Sequence, residues 1–163
     1  MRVSGLVQGL FAARGKCRPR LTGGMPDRIL WQIFKFGKNM TNHILRTPSG
    51  LPFPFSKAVE AKGFVFLSGQ IPLGADGAPC HGPVADQTRN VLDRISNTLK
   101  ELGLGLTDVV RVTVWLSDFA SFAAFNEVYR EYFVEPHLPV RSTVQAQLAF
   151  GVGVEIEITA CRP

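Results

Sequence analysis

The stretch LPVRSTVQAQL, residues 138–148, decides the fold together with VEIEITA, residues 154–160, which follows it closely. Both segments are rich in β-branched residues and alternate between apolar and polar positions, a pattern typical of strands with one buried face. The polar positions include Arg141 in the first segment, and Glu155 and Glu157 in the second. We therefore predict a hairpin of two strands, with these charged groups on the face of the sheet opposite the core.

Pairing within this hairpin would place Glu155 opposite Gln145 or Gln147. Arg141 would then lie about 13 to 20 Å from Glu155 along the ladder, at roughly 3.3 Å per residue. One interpretation of these charges is a solvated surface pair, which contributes little to stability. The alternative is a shared binding site, and because the two groups are too far apart within one hairpin, such a site would need a second subunit.

The segment between residues 56 and 102 predicts two strands and a helix. The strands SKAVEA and FVFLSGQIPL flank a turn at Lys62 and Gly63, and a loop rich in glycine and proline follows. A helix then ends at Gly103. Its apolar residues recur at helical spacing: Val91, Leu92, Ile95, Leu99 and Leu102.

The next segment predicts another strand and a second helix. Val110, Val112 and Val114 are expected on one face of the strand, and Ser117 or Asp118 is expected to cap the helix. The helix carries an aromatic stripe of Phe122, Phe125, Tyr129 and Phe133. The order β-β-α-β-α-β-β predicts a mixed sheet whose apolar face is covered by both helices.

The net charge of +5 comes from the N-terminal part of the chain. Residues 1–40 hold eight basic residues and one acid, whereas residues 41–163 hold 10 basic and 12 acidic residues, a net charge of −2. This balance argues against nucleic acid as a partner. We expect residues 1–40 to be a disordered extension of a domain at residues 41–163, although an arginine-rich, acid-poor leader also fits a mitochondrial import peptide.

The cysteines and the hydropathy pattern narrow the class of protein. Cys17, Cys80 and Cys161 show no CxxC or Cys/His ligand pattern, which argues against a disulfide framework or structural zinc and favours a reducing compartment. No run approaches the roughly 20 apolar residues of a membrane helix. We therefore expect a cytoplasmic protein with no membrane partner and no metal site.

Several polar residues outside the last two strands allow two interpretations. Ser68 in LSGQIP is not in a GxSxG nucleophile elbow, so we expect it to form a turn at the end of a strand, where Gly69 lets another group approach the backbone. Asn126 interrupts the aromatic stripe, either as a boundary residue or as a hydrogen-bonding group in a cleft. The three histidines have no partners at metal-ligand spacing and are expected at the surface: His43, His81 and His137.

Four segments together resemble the RidA/YjgF family of imine deaminases: PFSKAV…GFVFLSGQIPL, QTRNVLDRISNTLKELGL, DVVRVTVWLSDFASFAAFNEVYREYF and PVRSTV…VEIEITA. They follow the family order from about residue 43 to the end, and residues 1–40 lie outside the resemblance. The resemblance implies an α+β fold like that of chorismate mutase, with a mixed six-stranded sheet and two helices on one face. It also implies a homotrimer with a cleft at each subunit interface.

The resemblance further implies an activity. Members of the active subgroup hydrolyse 2-imino acids, which pyridoxal-phosphate enzymes release from Ser or Thr, to 2-keto acids and ammonium, without metal or organic cofactor. The carboxylate-binding arginine of the P-x-R-S motif falls on Arg141, whose planar fork of donors matches a carboxylate. The glutamate that positions or deprotonates the attacking water falls on Glu155.

The remaining cleft residues also follow from the resemblance. Ser68 and Gly69 match the SGQ segment, Asn126 matches the helix asparagine, and Thr143 takes a position that is often Cys. Phe55 stands where many members have Tyr, so it keeps the ring and lacks the hydroxyl. Two other functions remain open: a trimeric protein that binds small carboxylates or acts like a chaperone without catalysis, and an RNA-cleaving role, against which the net acidic domain argues.

Overall fold

The computed structural model describes residues 44–163, which form a sheet with helices on one face. The predictions for residues 1–40 and for His43 lie outside the described residues. None of the described helices is long and apolar enough to cross a membrane. The elements are β1 (Leu45–Pro48), β2 (Ser56–Ala61), β3 (Phe64–Gln70), α1 (Val84–Glu101), β4 (Val109–Leu116), α2 (Phe122–Tyr132), β5 (Val140–Gln145) and β6 (Val154–Cys161).

The sheet of residues 44–163 has six strands in the order β1-β2-β3-β6-β4-β5. β4 and β5 are parallel, and every other neighbouring pair is antiparallel. The mixed six-stranded sheet with two helices is therefore confirmed. The periodicity predicted five strands, and the sixth is the short edge strand β1. The turn between β2 and β3 is also confirmed, because Lys62 and Gly63 both have positive φ angles.

The predicted hairpin between the last two strands is wrong, because β4 lies between β5 and β6. α2 carries the chain back across the sheet, so that β5 enters parallel to β4 at the edge of the sheet. β6 then pairs antiparallel with the other side of β4 and with β3. An alternating pattern indicates which residues share a face of a strand, but it carries no information about which strand lies alongside.

A bulge in β4 changes the predicted alternation at Val110. Val109 pairs with Ala160 and Arg111 with Thr159, so Val110 is the extra residue. Val110 is 42% exposed, whereas Val109 is buried, and the prediction that Val110 shares the face of the later valines is therefore wrong. Beyond the bulge the alternation holds, and the next core-facing residues of β4 are fully buried: Val112, Val114 and Leu116.

The core lies between the sheet and the two helices. The predicted stripe of α1 is buried, apart from Leu102, which packs against the core at the end of the helix. α2 contributes Phe125 and Tyr129, followed by Phe133 just after its last turn. Gly103 ends α1 with a φ of +71°, a conformation that favours glycine. The predicted cap Asp118 accepts a hydrogen bond from the amide of Ala120 in the short 3-10 turn before α2, and not within α2 itself.

A buried glutamine connects α1 to the start of β6. The side-chain Nε2 of Gln87 donates to the carbonyl of Gly82 at 2.7 Å, and its Oε1 accepts from the amide of Gly153 at 2.7 Å. A Cβ atom added at Gly153 would lie 2.8 Å from Cγ2 of Val84 and 3.1 Å from Nε2 of Gln87. This packing fixes the entry of β6 two residues before Glu155.

Replacement of Gly153 by alanine should therefore destabilise the fold. We expect Gly153→Ala to lower the free energy of unfolding by about 1–3 kcal/mol, because the added methyl overpacks a buried contact. Urea unfolding at a fixed protein concentration measures this change. The matched control is Gly105→Ala, where the nearest atom to an added Cβ is 3.6 Å away, and the expected change is below about 0.5 kcal/mol. Equal losses in the two variants would contradict the predicted role of the Gly153 packing.

Candidate active site

Arg141 lies on the face of the sheet that α2 covers. Its partner on β4 is Val112, which pairs in turn with Ile158, and both partners are buried beneath the helices. The Cζ atom of Arg141 lies near the ring centroids of three aromatic residues of α2: Tyr129 at 4.6 Å, Phe125 at 5.6 Å and Phe122 at 5.9 Å. The prediction that Arg141 is on the open face was therefore wrong.

The position of β5 at the edge of the sheet explains this difference. The helices cover the middle of the sheet, so a residue of the edge strand stays exposed even when it is on the helix side. A polar residue is therefore tolerated at position 141. Arg141 and Thr143 lie on the helix side of the sheet and the valines of β5 on the open face, the reverse of the expected arrangement. Val140 and Val144, which were expected to face the core, are instead 70% and 46% exposed on the open face.

The side chain of Arg141 forms no ion pair or hydrogen bond with residues 44–163, so its guanidinium N–H donors are available to a ligand. Thr143 follows on the same face of β5, half-buried, and pairs with Val114. Asn126 is half-buried on α2, one turn after Phe122, and therefore lies near the ring that contacts Arg141. These residues form the first half of the candidate site, which we call the arginine half: Asn126, Arg141 and Thr143.

Glu155 lies on the opposite, open face of the sheet. It pairs with Trp115 of β4 and is half-buried between two core-facing residues of β6. Burial raises the pKa of the Glu155 carboxyl above its ordinary value, and the charge of Glu157 on the same face raises it further. A carboxyl with a raised pKa and partial access to solvent is suited to accepting a proton.

The carboxylate of Glu155 packs against the backbone of Gly69. A Cβ atom added at Gly69 would lie 3.0 Å from Cδ of Glu155 and would overlap its Oε1. The close approach predicted at Gly69 is therefore confirmed. It falls at a bulge in β3, where the register with β6 shifts between Leu67 and Gln70.

The turn expected at Ser68 is wrong, because Ser68 lies within β3. Ser68 connects the bulge of this strand to the segment that carries Phe55. Its Oγ donates to the carbonyl of Ser56 at 2.7 Å, and Ser56 directly follows Phe55. The Phe55 ring is exposed and stacks on Phe53, with ring centroids 6.2 Å apart. These residues form the second half of the candidate site, which we call the glutamate half: Phe55, Ser68, Gly69 and Glu155.

The two halves do not meet within one chain. The β4 partners of Arg141 and Glu155 are Val112 and Trp115, three residues apart, and two strand spacings separate β5 from β6. The Cα atoms of Arg141 and Glu155 are thus about 14 Å apart, and their side chains leave opposite faces of the sheet. A small molecule cannot contact both groups of one chain.

Other features of the described residues do not bring these groups together. A shallow recess at the ends of β4 and β5, lined by Ser117, Gln145, Gln147 and Phe150 among others, contains neither Arg141 nor Glu155. Within residues 44–163, no group of three His, Cys, Asp or Glu residues could hold a metal ion. His81 and His137 are exposed, as predicted.

The aromatic stripe of α2, which was expected to serve the core alone, also contacts Arg141. Phe125 is fully buried, and Tyr129 is buried as well, with burial raising the pKa of its phenol to about 12. The available signal was the order of elements, because a helix that connects two parallel neighbouring strands must pack against them. That order places the stripe next to β5.

Removal of the charge at Glu157 should lower the pKa of Glu155. We expect Glu157→Gln to leave the Glu155 pKa above its ordinary value, because burial is the larger cause of the shift. Carbon-detected NMR titration of the glutamate carboxyl groups measures this pKa. Glu127→Gln, an exposed change on α2, is the control and should leave it unchanged. An identical Glu155 pKa in wild type and Glu157→Gln would contradict the coupling.

Comparison with known proteins identifies relatives across this region. The family model described as "Endoribonuclease L-PSP" matches residues 51–162. A RutC family protein of Pyrococcus horikoshii is 44% identical over 109 residues, which are 66% of this chain and 86% of that protein. "Reactive Intermediate Deaminase A, chloroplastic" of Arabidopsis thaliana is 40% identical over 66% of this chain and 58% of its own length. "Protein MMF1, mitochondrial" of Saccharomyces cerevisiae is 38% identical over 65% of this chain and 73% of its own length.

Solved structures show the same fold. The crystal structure of yeast Mmf1 superposes with a TM-score of 0.65 at 35% identity, covering 73% of this chain and 94% of that chain. A putative endoribonuclease from Thermotoga maritima superposes with a TM-score of 0.66 at 35% identity, covering 76% of this chain and 99% of that chain. With the six-stranded sheet and the matched residues 51–162, these comparisons show that the chain belongs to the RidA/YjgF family, whose model is described as Endoribonuclease L-PSP.

Proposed function

We propose that this protein is a 2-iminobutanoate/2-iminopropanoate deaminase, a hydrolase that converts reactive enamine and imine intermediates to 2-keto acids and ammonium. The observation that carries the proposal is the guanidinium of Arg141, which is exposed and has no partner among residues 44–163. Its planar fork is suited to the carboxylate that every 2-imino acid carries. The Arabidopsis relative named Reactive Intermediate Deaminase A supports the same reaction class.

The proposed reaction makes modest demands on the protein. A protonated imine is electrophilic at carbon, so binding the substrate carboxylate and placing one water molecule supply much of the catalysis. In our proposal Arg141 binds the carboxylate, and Glu155 accepts a proton from the water that attacks the imine carbon. Glu155 then returns this proton to the amino group of the carbinolamine, and the C–N bond breaks. The hydroxyl proton leaves with the ammonia as ammonium, which gives the 2-keto acid and regenerates the Glu155 carboxylate. No metal or organic cofactor takes part in the proposed steps.

We further propose a homotrimer in which the arginine half of one copy meets the glutamate half of the next. The opposite positions of Arg141 and Glu155 within one chain support this proposal, because a second copy is needed to bring the two groups together. The open face of the sheet supports it, because large apolar side chains are exposed there and a second copy would bury them. They include Phe64, Phe66, Val140 and Val144.

The remaining residues of the two halves line the proposed cleft. Asn126 and Thr143 accompany Arg141 near the substrate carboxylate, while Ser68 and Gly69 shape the backbone beside Glu155. Phe55 supplies an apolar wall, and because its ring has no hydroxyl we assign proton transfer to Glu155. The substrates would come from pyridoxal-phosphate enzymes that dehydrate Ser or Thr. We expect these partners in the cytoplasm and propose no nucleic acid or membrane partner.

An imine-loss assay tests the activity. A Thr or Ser dehydratase supplies 2-iminobutanoate or 2-aminoacrylate, and its disappearance is followed with and without the protein. We expect wild type to accelerate the loss, and Arg141→Ala and Glu155→Gln to reduce kcat/KM by about 100-fold or more, as removal of general-base catalysis commonly does. Arg130→Ala and Glu127→Gln, both exposed changes on α2, are the matched controls and should retain full activity.

A wild-type protein that leaves imine loss unchanged would overturn the proposed activity, as would Arg141→Ala with the rate of wild type. Calorimetry with 2-oxobutanoate then tests the main alternative, a protein that binds small carboxylates without catalysis. Binding of this 2-keto acid without turnover would identify a carboxylate-binding protein that is not an enzyme.

Mixing of two inactive variants tests the shared cleft. Arg141→Ala and Glu155→Gln chains are denatured, combined in equal amounts and refolded together. A cleft with both groups intact arises when the arginine comes from one variant and the glutamate from the other, so we expect about a quarter of wild-type activity to return. The same variants refolded separately are the control. Absence of recovery, in mixtures that mass spectrometry shows to be mixed trimers, would contradict the shared cleft.

A further inference from the structure

We infer that Phe122, Phe125 and Tyr129 of α2 form a platform that orients the guanidinium of Arg141 for binding a carboxylate, an inference that rests on the proposed function. We call these three rings the aromatic platform. They lie 4.6 to 5.9 Å from Cζ of Arg141, within the range of a cation–π interaction. In this role the three aromatic residues are positioning residues that act through Arg141.

The platform is anchored in the core. Phe125 is fully buried and Tyr129 is nearly so, and their ring centroids lie 5.5 Å apart. Phe133, which is also buried, stacks on the Tyr129 ring with centroids 4.6 Å apart. Phe122 is partly buried and packs against the core at the start of α2. Because close-packed rings have little freedom, the surface they present to Arg141 is fixed.

The geometry of a guanidinium allows stacking and carboxylate binding at once. A ring interacts with the flat face of the group, whereas the N–H donors point outwards in its plane. Contact with the rings therefore restricts the movement of the Arg141 guanidinium without using its N–H donors. On an exposed edge strand this restriction reduces the side-chain freedom that carboxylate binding would otherwise remove.

Two other arginines of the chain show the opposite arrangement. Arg162 donates from Nε and one terminal nitrogen to both carboxylate oxygens of Glu60, at 2.9 and 2.8 Å. Arg89 donates to Glu131 at 2.9 Å. An acidic partner occupies the N–H edge and cancels the charge, so neither arginine is available to a ligand in the way that Arg141 is. Support by rings is the arrangement that keeps both the donors and the charge free.

Substitution of Tyr129 can separate the role of its ring from that of its hydroxyl group. This oxygen is buried and has no hydrogen-bond partner among residues 44–163. A buried hydroxyl without a partner does not stabilise the fold, so its removal should be close to neutral. Tyr129→Phe thus keeps the platform, whereas Tyr129→Leu removes one of its rings.

The test compares Tyr129→Leu and Phe122→Leu with two controls. The first control is Tyr129→Phe, which keeps the ring. The second is Phe119→Leu, because the exposed Phe119 packs against Phe122 in a tilted arrangement, with centroids 5.7 Å apart, and is not one of the three rings near Arg141. The Leu variants of the platform should raise KM for the imine, and the Kd of 2-oxobutanoate by calorimetry, about five- to tenfold, as expected for the loss of a partly desolvated cation–π contact. Their kcat should change less than about twofold, and both controls should match wild type.

A second measurement reports the platform without turnover. The rings should shift the side-chain proton resonances of Arg141 upfield, and both platform Leu variants should reduce this shift while Phe119→Leu retains it. If Tyr129→Leu does not fold, Phe122→Leu decides the test, because Phe122 is only partly buried. A folded Phe122→Leu variant that keeps the wild-type Kd, or an Arg141 resonance with no ring shift in wild type, would overturn the inference.

The two proposals fail in distinguishable ways. An inactive wild type in the imine-loss assay overturns the proposed function, while 2-oxobutanoate binding and the Arg141 resonances still test the platform. An active wild type whose platform Leu variants bind and react normally overturns the platform alone.

Discussion

The parallel pairing of β4 with β5 is the constraint on which the rest of the candidate site depends. Because α2 must cross the sheet between these strands, it packs beside β5 and brings its aromatic residues to Arg141. The same crossover leaves the other side of β4 free for β6. One connection thus fixes both the support of Arg141 and its separation from Glu155.

The glutamate half depends on local backbone geometry. The bulge in β3 and the absence of a side chain at Gly69 make room for the carboxylate of Glu155 beside the backbone. The hydrogen bond from Ser68 to the carbonyl of Ser56 connects this end of β3 to β2. The partial burial that results raises the pKa of Glu155 and leaves the group accessible. The main-chain bulge at Gly69 thereby contributes to the raised pKa of the Glu155 carboxyl.

Much of the fold was predictable from local sequence. The apolar stripe of α1, the stop at Gly103 and the turn at Lys62 and Gly63 follow from helical spacing and from the conformational preferences of glycine. The family resemblance provided the sixth strand and the candidate residues. Whether Ser68, Asn126, Thr143 and the other candidates contact a substrate stays a prediction.

The errors came from contacts between distant segments. Alternation along β5 gave the correct grouping of its residues into two faces but the wrong side for Arg141, because an edge strand is exposed on both faces. The hairpin was wrong because strand order depends on the α2 crossover, and Val110 was misplaced because a bulge leaves no clear mark in a run of valines. The separation of Arg141 from Glu155 was nevertheless expected, although for the wrong geometric reason.

The opposite placement of the two halves has a genetic consequence. In the proposed trimer each chain serves two clefts, giving its arginine to one neighbour and its glutamate to the other. A copy that folds and assembles but lacks both Arg141 and Glu155 would therefore inactivate two clefts of every trimer that it enters. An allele that encodes both substitutions would leave about a quarter of the clefts intact in equal mixture with the normal allele, whereas an allele whose product cannot assemble would leave about half.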